Sequence, residues 1–123
     1  MATILVVDDE FGIAEVLEAA LTDAGHRVET AMNGRDGLQR LAKVVPDIIF
    51  LDYMMPVMNG PAMLREMQST PAYQAVPVVM MSSLPEAVIA ASSSGYRAFL
   101  RKPFVLRSVT DLIAEVLGTG TES

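Results

Sequence analysis

The sequence has no cysteine in 123 residues. That excludes a disulfide framework and any thiolate metal site. Positive charge is in short supply: 9 lysines and arginines face 15 acids, for a net charge of −6. Such a balance weighs against non-specific nucleic-acid binding and against an anionic membrane surface. No apolar run is long enough to span a bilayer. The N-terminus has neither a basic start nor a long apolar stretch, so no signal peptide is expected. A soluble, cytoplasmic protein is the expectation. There is no internal repeat, and only Gly118-Thr119-Gly120-Thr121-Glu122-Ser123 has the composition of a linker or terminus.

Half of the residues are hydrophobic and a fifth are charged, which excludes a disordered chain. A chain of this length fits one domain and buries roughly two thirds of its unfolded surface. The expected boundaries are a domain over residues 1–118 and a flexible tail over 119–123.

Hydrophobic periodicity sets the elements. Thr3 to Val7 is a β-branched, aliphatic run that reads as a buried strand. Ile13, Val16, Leu17, Ala20, Leu21 and Ala24 recur at helical spacing, and Gly25 is placed to stop that helix. Arg27 to Ala31 is a second strand. Asn33-Gly34 signals a turn; Leu38, Leu41 and Ala42 then mark a helix that Pro46 ends. Asp47 to Leu51 is a third strand, and a loop from Asp52 to Gly60 leads to a helix with Pro61 in its first turn. Val76 to Met81 is a fourth strand, followed by a short, weak helix over Pro85 to Ala91. Tyr96 to Leu100 is a fifth, and a helix from Leu106 to Leu117 closes the order.

Strand and helix thus alternate five times, which implies right-handed crossovers and a parallel sheet covered on both faces. The strands are continuous apolar runs, as a doubly covered sheet requires. In such sheets the ligand site lies at the carboxyl ends of the strands. The first strand runs into Asp8-Asp9-Glu10, the third into Asp52, the fourth into Ser82-Ser83, and the fifth stops just before Lys102-Pro103. Acids, a hydroxyl and an ammonium therefore meet on one rim. Asp8, Asp9 and Asp52 form an oxygen-donor set suited to Mg²⁺, which takes one or two carboxylates and keeps room for phosphate oxygens. Lys102 and Ser82 supply donors for phosphoryl oxygens, and Asp52 is placed as a nucleophile for phosphoryl transfer. The lone histidine, His26, falls on the opposite rim and reads as a surface residue. Met54, Met55 and Met58 read as gap-filling side chains.

Together, Asp8-Asp9, Asp52 within FLDYMMPVMNG, Ser82 closing VVMMSS, and Lys102-Pro103-Phe104 resemble the receiver domain of two-component response regulators, over about residues 3 to 117. The resemblance implies a doubly wound (βα)5, flavodoxin-like three-layer sandwich with strand order 2-1-3-4-5. It implies Mg²⁺-dependent phosphoryl transfer from a histidine kinase, or a phosphotransfer protein, to Asp52. Asp9 and Asp52 would bind the metal directly, Asp8 mainly through water, and the Met54 backbone carbonyl would be a further ligand. Ser82 and Lys102 would hold phosphoryl oxygens, with Phe99 as the switch aromatic beside Ser82. The Lys102–Pro103 bond is expected cis. The output would be a downstream protein or a fused output domain, read from the face of the fourth helix, fifth strand and fifth helix. A phosphorylation-dependent homodimer stays open. Such a domain is a phosphoacceptor that assists its own phosphorylation, not a conventional enzyme.

Some features depart from the family pattern. The segment from Ser82 to Phe99 is short, so a truncated or irregular fourth helix is expected. Met54 and Leu84 are apolar where relatives tune the attack of water, which implies slow self-dephosphorylation. Two alternatives stand beside this reading. One is a pseudo-receiver that binds partners without using Asp52. The other is a phosphohydrolase resembling the haloacid dehalogenases, which the absence of an acid at position 54 disfavours.

Overall fold

The computed structural model describes residues 1–118; the tail expected at residues 119–123 lies outside the described residues. The elements run β1 (Thr3–Val7), α1 (Phe11–Asp23), β2 (Arg27–Ala31), α2 (Gly34–Lys43), β3 (Ile48–Asp52), α3 (Gly60–Gln68), β4 (Val78–Ser82), α4 (Glu86–Ser92), β5 (Ala98–Arg101) and α5 (Leu106–Leu117). A 3-10 turn at Pro71–Tyr73, not expected from the periodicity, precedes β4. The five strands form one sheet in the order β2-β1-β3-β4-β5, with every neighbouring pair parallel. This is the expected doubly wound architecture.

Side-chain alternation along the strands builds two cores. Ile4, Val6, Ile48, Phe50, Val79 and Met81 face α1 and α5, joining Leu17, Leu21, Val109 and Ile113. Their chain neighbours Leu5, Val7, Ile49, Leu51, Val78 and Met80 face the other way, joining Leu41, Met63, Leu64, Met67 and Ile89 of α2, α3 and α4. Successive residues of a strand point to opposite faces, so an unbroken apolar run feeds both layers. Each fully buried Leu, Ile or Phe contributes roughly 1.5–3 kcal/mol. Helices of this length are marginal alone, so this burial and not intrinsic propensity holds them.

Local chemistry explains where the boundaries fall. Asn33, read as a turn residue, is the N-cap of α2: its side chain accepts from the Asp36 N–H at 2.9 Å. Asn59 caps α3 in the same way through the Ala62 N–H. α2 stops at Lys43, before the expected breaker Pro46, because Val44 already turns extended. Gly25 is left-handed (φ 97°) beyond the end of α1, as its role as a stop requires. β4 starts after Pro77, later than expected. β5 starts at Ala98, although the Arg97 N–H still bonds to the Val78 carbonyl. Val16, expected on the buried face of α1, is 54% exposed; Ala14, Leu17 and Leu21 make the buried stripe. His26, expected to be a plain surface residue, is half-buried and its Nδ1 accepts the Ala2 N–H at 3.0 Å. The fourth helix is short, as expected: seven residues, no side-chain cap at its N-terminus, and Ile89 its one buried residue.

In the loop after β3, Val57 adopts φ 68° and is 75% exposed. The left-handed region costs a non-glycine residue about 1–2 kcal/mol. Val57→Gly removes that strain and little packing, against a larger unfolded-state entropy. A net gain of about 0.5–1 kcal/mol is expected from the urea midpoint; an unchanged or lower midpoint would count against strain here.

Candidate functional site

The register of the central strands assembles the site. Val7 pairs with Leu51 across β1 and β3, so the residues that follow, Asp8 and Asp52, emerge side by side. Asp52 pairs with Met81 and Ser82 with Arg101, which brings the ends of β4 and β5 to the same rim. The approach is tight: a Cβ on Gly60 would collide with the Asp52 carbonyl oxygen, so glycine lets α3 start directly behind the acid.

Lys102 ties the cluster together. Its Nζ lies 2.8 Å from Asp8 Oδ2, 2.6 Å from Glu10 Oε1 and 3.3 Å from Asp52 Oδ1. Asp8 is buried, and its other oxygen accepts the Glu10 N–H at 2.8 Å. Ser82 is buried too, with Oγ accepting the Leu84 N–H at 3.0 Å. The bond between Lys102 and Pro103 is cis, as expected.

Electrostatics at this rim are strained. Burial, and then the neighbouring Asp8 charge, push the Asp52 carboxyl up to about 7 despite the opposing pull of Lys102. For Lys102, burial works against the ammonium. Hydrogen bonds to Asp8 and Glu10 and the charges of Asp52 and Asp8 outweigh it, so its pKa rises and it stays charged. Carboxylate oxygens of Asp8, Glu10 and Asp52 lie within 4.8 Å of one another. Within this group the Asp8 and Asp52 oxygens suit a hard divalent cation such as Mg²⁺, while Glu10 is engaged by Lys102 at 2.6 Å. Asp9, Glu10, Asp52, Met54, Ser82, Ser83 and Lys102 line an open cavity of about 250 Å³ above this group.

A carboxylate pair, a hydroxyl and a lysine on four strand ends of a 2-1-3-4-5 sheet correspond to a known family. Residues 4–114 match the model of the response regulator receiver domain. The chain belongs to the response regulator receiver family. Among curated relatives, the receiver is 41% identical over 104 residues to the response regulator PleD of Caulobacter vibrioides, covering 83% of this chain and 23% of PleD. It is 33% identical over 114 residues to the DNA-binding transcriptional regulator NtrC of Escherichia coli, covering 91% of this chain and 24% of NtrC. The receiver thus spans about a quarter of the length of these relatives. The chemotaxis response regulator CheY4 of Vibrio cholerae superposes with a TM-score of 0.86 at 32% identity, covering 94% of this chain and 98% of that one.

Within the receiver, Asp8, Asp52, Ser82 and Lys102 converge as the strand order implied. Asp9, expected as a direct metal ligand, stands outside the tight carboxylate group, exposed at the cavity edge. Glu10 takes its place in that group. The DDE run signalled a third acid, but periodicity gave no reason to bring Glu10 back over Lys102. Met54 is 68% exposed at the cavity mouth. Phe99 is half-buried against the core on the α2–α3–α4 side of the sheet. Arg101 is exposed, with Nε donating to the Ser83 carbonyl at 2.9 Å. Among the described residues, no helix is long and apolar enough to cross a membrane.

Proposed function

We propose that this receiver is a phosphoacceptor in a two-component or phosphorelay system, taking a phosphoryl group on Asp52 from a phosphohistidine of a kinase or phosphotransfer protein. The observation that carries the reading is the open cavity in which the Asp52 carboxylate faces Lys102 and Ser82. An Asp52 oxygen attacks phosphorus, the P–N bond breaks, and the imidazole leaves with the electron pair and takes up a proton. Lys102 and the Ser82 hydroxyl stabilise the transferred oxygens. Positioning and charge neutralisation are nearly all that such a transfer needs. Mg²⁺, held by Asp8, Asp9, Asp52 and the Met54 carbonyl, supplies the remaining neutralisation when bound. The domain is then a signalling module, not a conventional enzyme, and works in the cytoplasm.

The response follows from how weakly α4 is held. It lacks a side-chain cap at its N-terminus, is seven residues long, and buries only Ile89. Ser82 precedes it and Phe99 lies in the adjacent β5, so a shift of Ser82 toward phosphate moves Phe99 and the α4–β5–α5 face together. A downstream protein or a fused output domain reads that face, as a population shift biased by phosphate contacts.

Incubation with acetyl phosphate and Mg²⁺, read by intact-protein mass spectrometry, is the direct test. A single phosphoryl adduct is expected, absent in Asp52→Asn and without metal. No adduct, with Mg²⁺ binding intact, would favour an interaction domain that does not use Asp52. Met54 and Leu84 offer no hydrogen bond to orient an attacking water, so the adduct is expected to be long-lived. Met54→Asn should shorten its lifetime severalfold; an equal or longer lifetime in the variant would sink that part of the reading.

A further inference from the structure

In the resting site Lys102 is already engaged by carboxylates other than Asp52. A lysine ammonium has three N–H donors, and three carboxylates surround this one: Asp8, Glu10 and Asp52. Nζ donates to Asp8 and Glu10 and lies 3.3 Å from Asp52 Oδ1. A phosphoryl oxygen on Asp52 therefore inherits the donor nearest Asp52, and draws the ammonium closer only if Asp8 or Glu10 loosens its hold. The two are not equally easy to release. The Asp8 side chain is fully buried, so parting it from Lys102 strands a charge away from water. Glu10 is 60% exposed at its side chain, so its carboxylate returns to solvent at little cost.

A second observation concerns α1. Glu10 occupies its N-cap with extended backbone but makes no side-chain capping bond. The helix therefore starts without the stabilisation that Ser, Thr, Asp or Asn would give there. The Glu10 side chain lies instead over Lys102, at the shortest of the three contacts, 2.6 Å.

We infer that Glu10 is a positioning residue: its carboxylate holds Lys102 Nζ, in the resting protein, against the pull of a phosphoryl oxygen on Asp52. The inference rests on the phosphoacceptor reading above. Glu10 slows charging of Asp52 by competing for Lys102, and it is not a metal ligand although it lies beside the acids that are assigned as such.

The test compares Glu10→Gln with Glu15→Gln. Each removes one exposed acid of this region, but Glu15 is not among the three carboxylates around Lys102. Acetyl phosphate is the donor, and rates are followed at saturating Mg²⁺. Glu10→Gln is expected to charge about two- to fivefold faster, the scale of an exposed ion pair. Its Mg²⁺ half-saturation should stay within about twofold of wild type. Glu15→Gln should match wild type. In the metal-free protein, the ¹⁵Nζ resonance of Lys102 should move in Glu10→Gln and stay put in Glu15→Gln. Equal acceleration in both variants would reduce the effect to net charge and overturn the inference. A clearly weakened Mg²⁺ half-saturation in Glu10→Gln would overturn it by making Glu10 a metal ligand. An adduct in wild type with no acceleration in Glu10→Gln removes the inference alone. No adduct in any of the three proteins removes the phosphoacceptor reading and the inference with it.

Discussion

Lys102→Met is expected to destabilise the metal-free protein by about 3–5 kcal/mol near pH 8, the range for stripping one partner from a buried ion pair. Methionine keeps an apolar stem of similar length, so the loss reports charge and not packing. Without the ammonium, Asp8 and Asp52 face each other at the end of adjacent strands, with side-chain exposures of 0% and 8%. The folded-state pKa of Lys102 is raised. Its contribution is therefore fully present below the ordinary lysine value and is lost only as pH climbs through the higher folded one. Across the working range the wild type keeps all of it. In the variant Asp52 relieves the repulsion by taking up a proton, so the deficit shrinks toward pH 5. For a domain of this size the deficit lowers Tm by roughly 10–20 °C. Millimolar Mg²⁺ replaces the lost positive charge and should recover part of the drop. Thermal denaturation over pH 5–9, with and without Mg²⁺, makes the comparison. A deficit under about 1 kcal/mol at every pH would mean that the cluster is as well screened as a surface pair.

Asp52→Asn is expected to do the opposite. The Asp52 carboxyl is pushed from 3.8 up to about 7 in the folded protein. A raised pKa gives stability that is fully present below the unfolded value and lost as pH rises through the folded one. The ionised Asp52 therefore weighs on the metal-free fold above neutrality and not in acid. Asparagine removes that burden. Its advantage should grow between about pH 4 and pH 7 and level off above, at on the order of 2–4 kcal/mol. Mg²⁺ offsets the same burden in the wild type, so it should raise the wild-type Tm by more than that of Asp52→Asn. A pH-independent difference between the two proteins, or an equal Mg²⁺ response, would contradict this account.

These two substitutions act on residues that are 50 positions apart in the chain, and their pairing illustrates what the sequence makes legible. The βα alternation, the unbroken apolar strands and the acids and lysine at strand ends can all be read from local pattern. Pattern reaches that far because a doubly covered parallel sheet demands apolar side chains on both faces of each strand and because its ligands meet at the carboxyl ends. α5 falls on its expected residues for the same reason, its apolar positions recurring at helical spacing up to a glycine stop.

Where local chemistry offers two solutions, the pattern is less informative. Asn33-Gly34 satisfies a turn or a helix N-cap with the same side-chain hydrogen bond, and packing of α2 selects the cap. Val16 has the hydrophobicity of a core residue but sits on the wrong side of the stripe made by Ala14, Leu17 and Leu21. His26 is an unremarkable loop residue until β1 brings the Ala2 N–H to its ring.

By itself the sequence determined the fold class, the strand order through its family resemblance, and the identity of the acids, hydroxyl and lysine at the rim. It did so because periodicity and strand-end position are properties of neighbours along the chain. Only the tertiary structure decided how those groups divide Lys102 between them, that Glu10 and not Asp9 joins the tight carboxylate group, and that Asp52 is burdened enough to titrate near neutrality. Those outcomes depend on separations of a few ångströms and on burial, between residues more than 40 positions apart, and Coulomb energies change steeply over such distances.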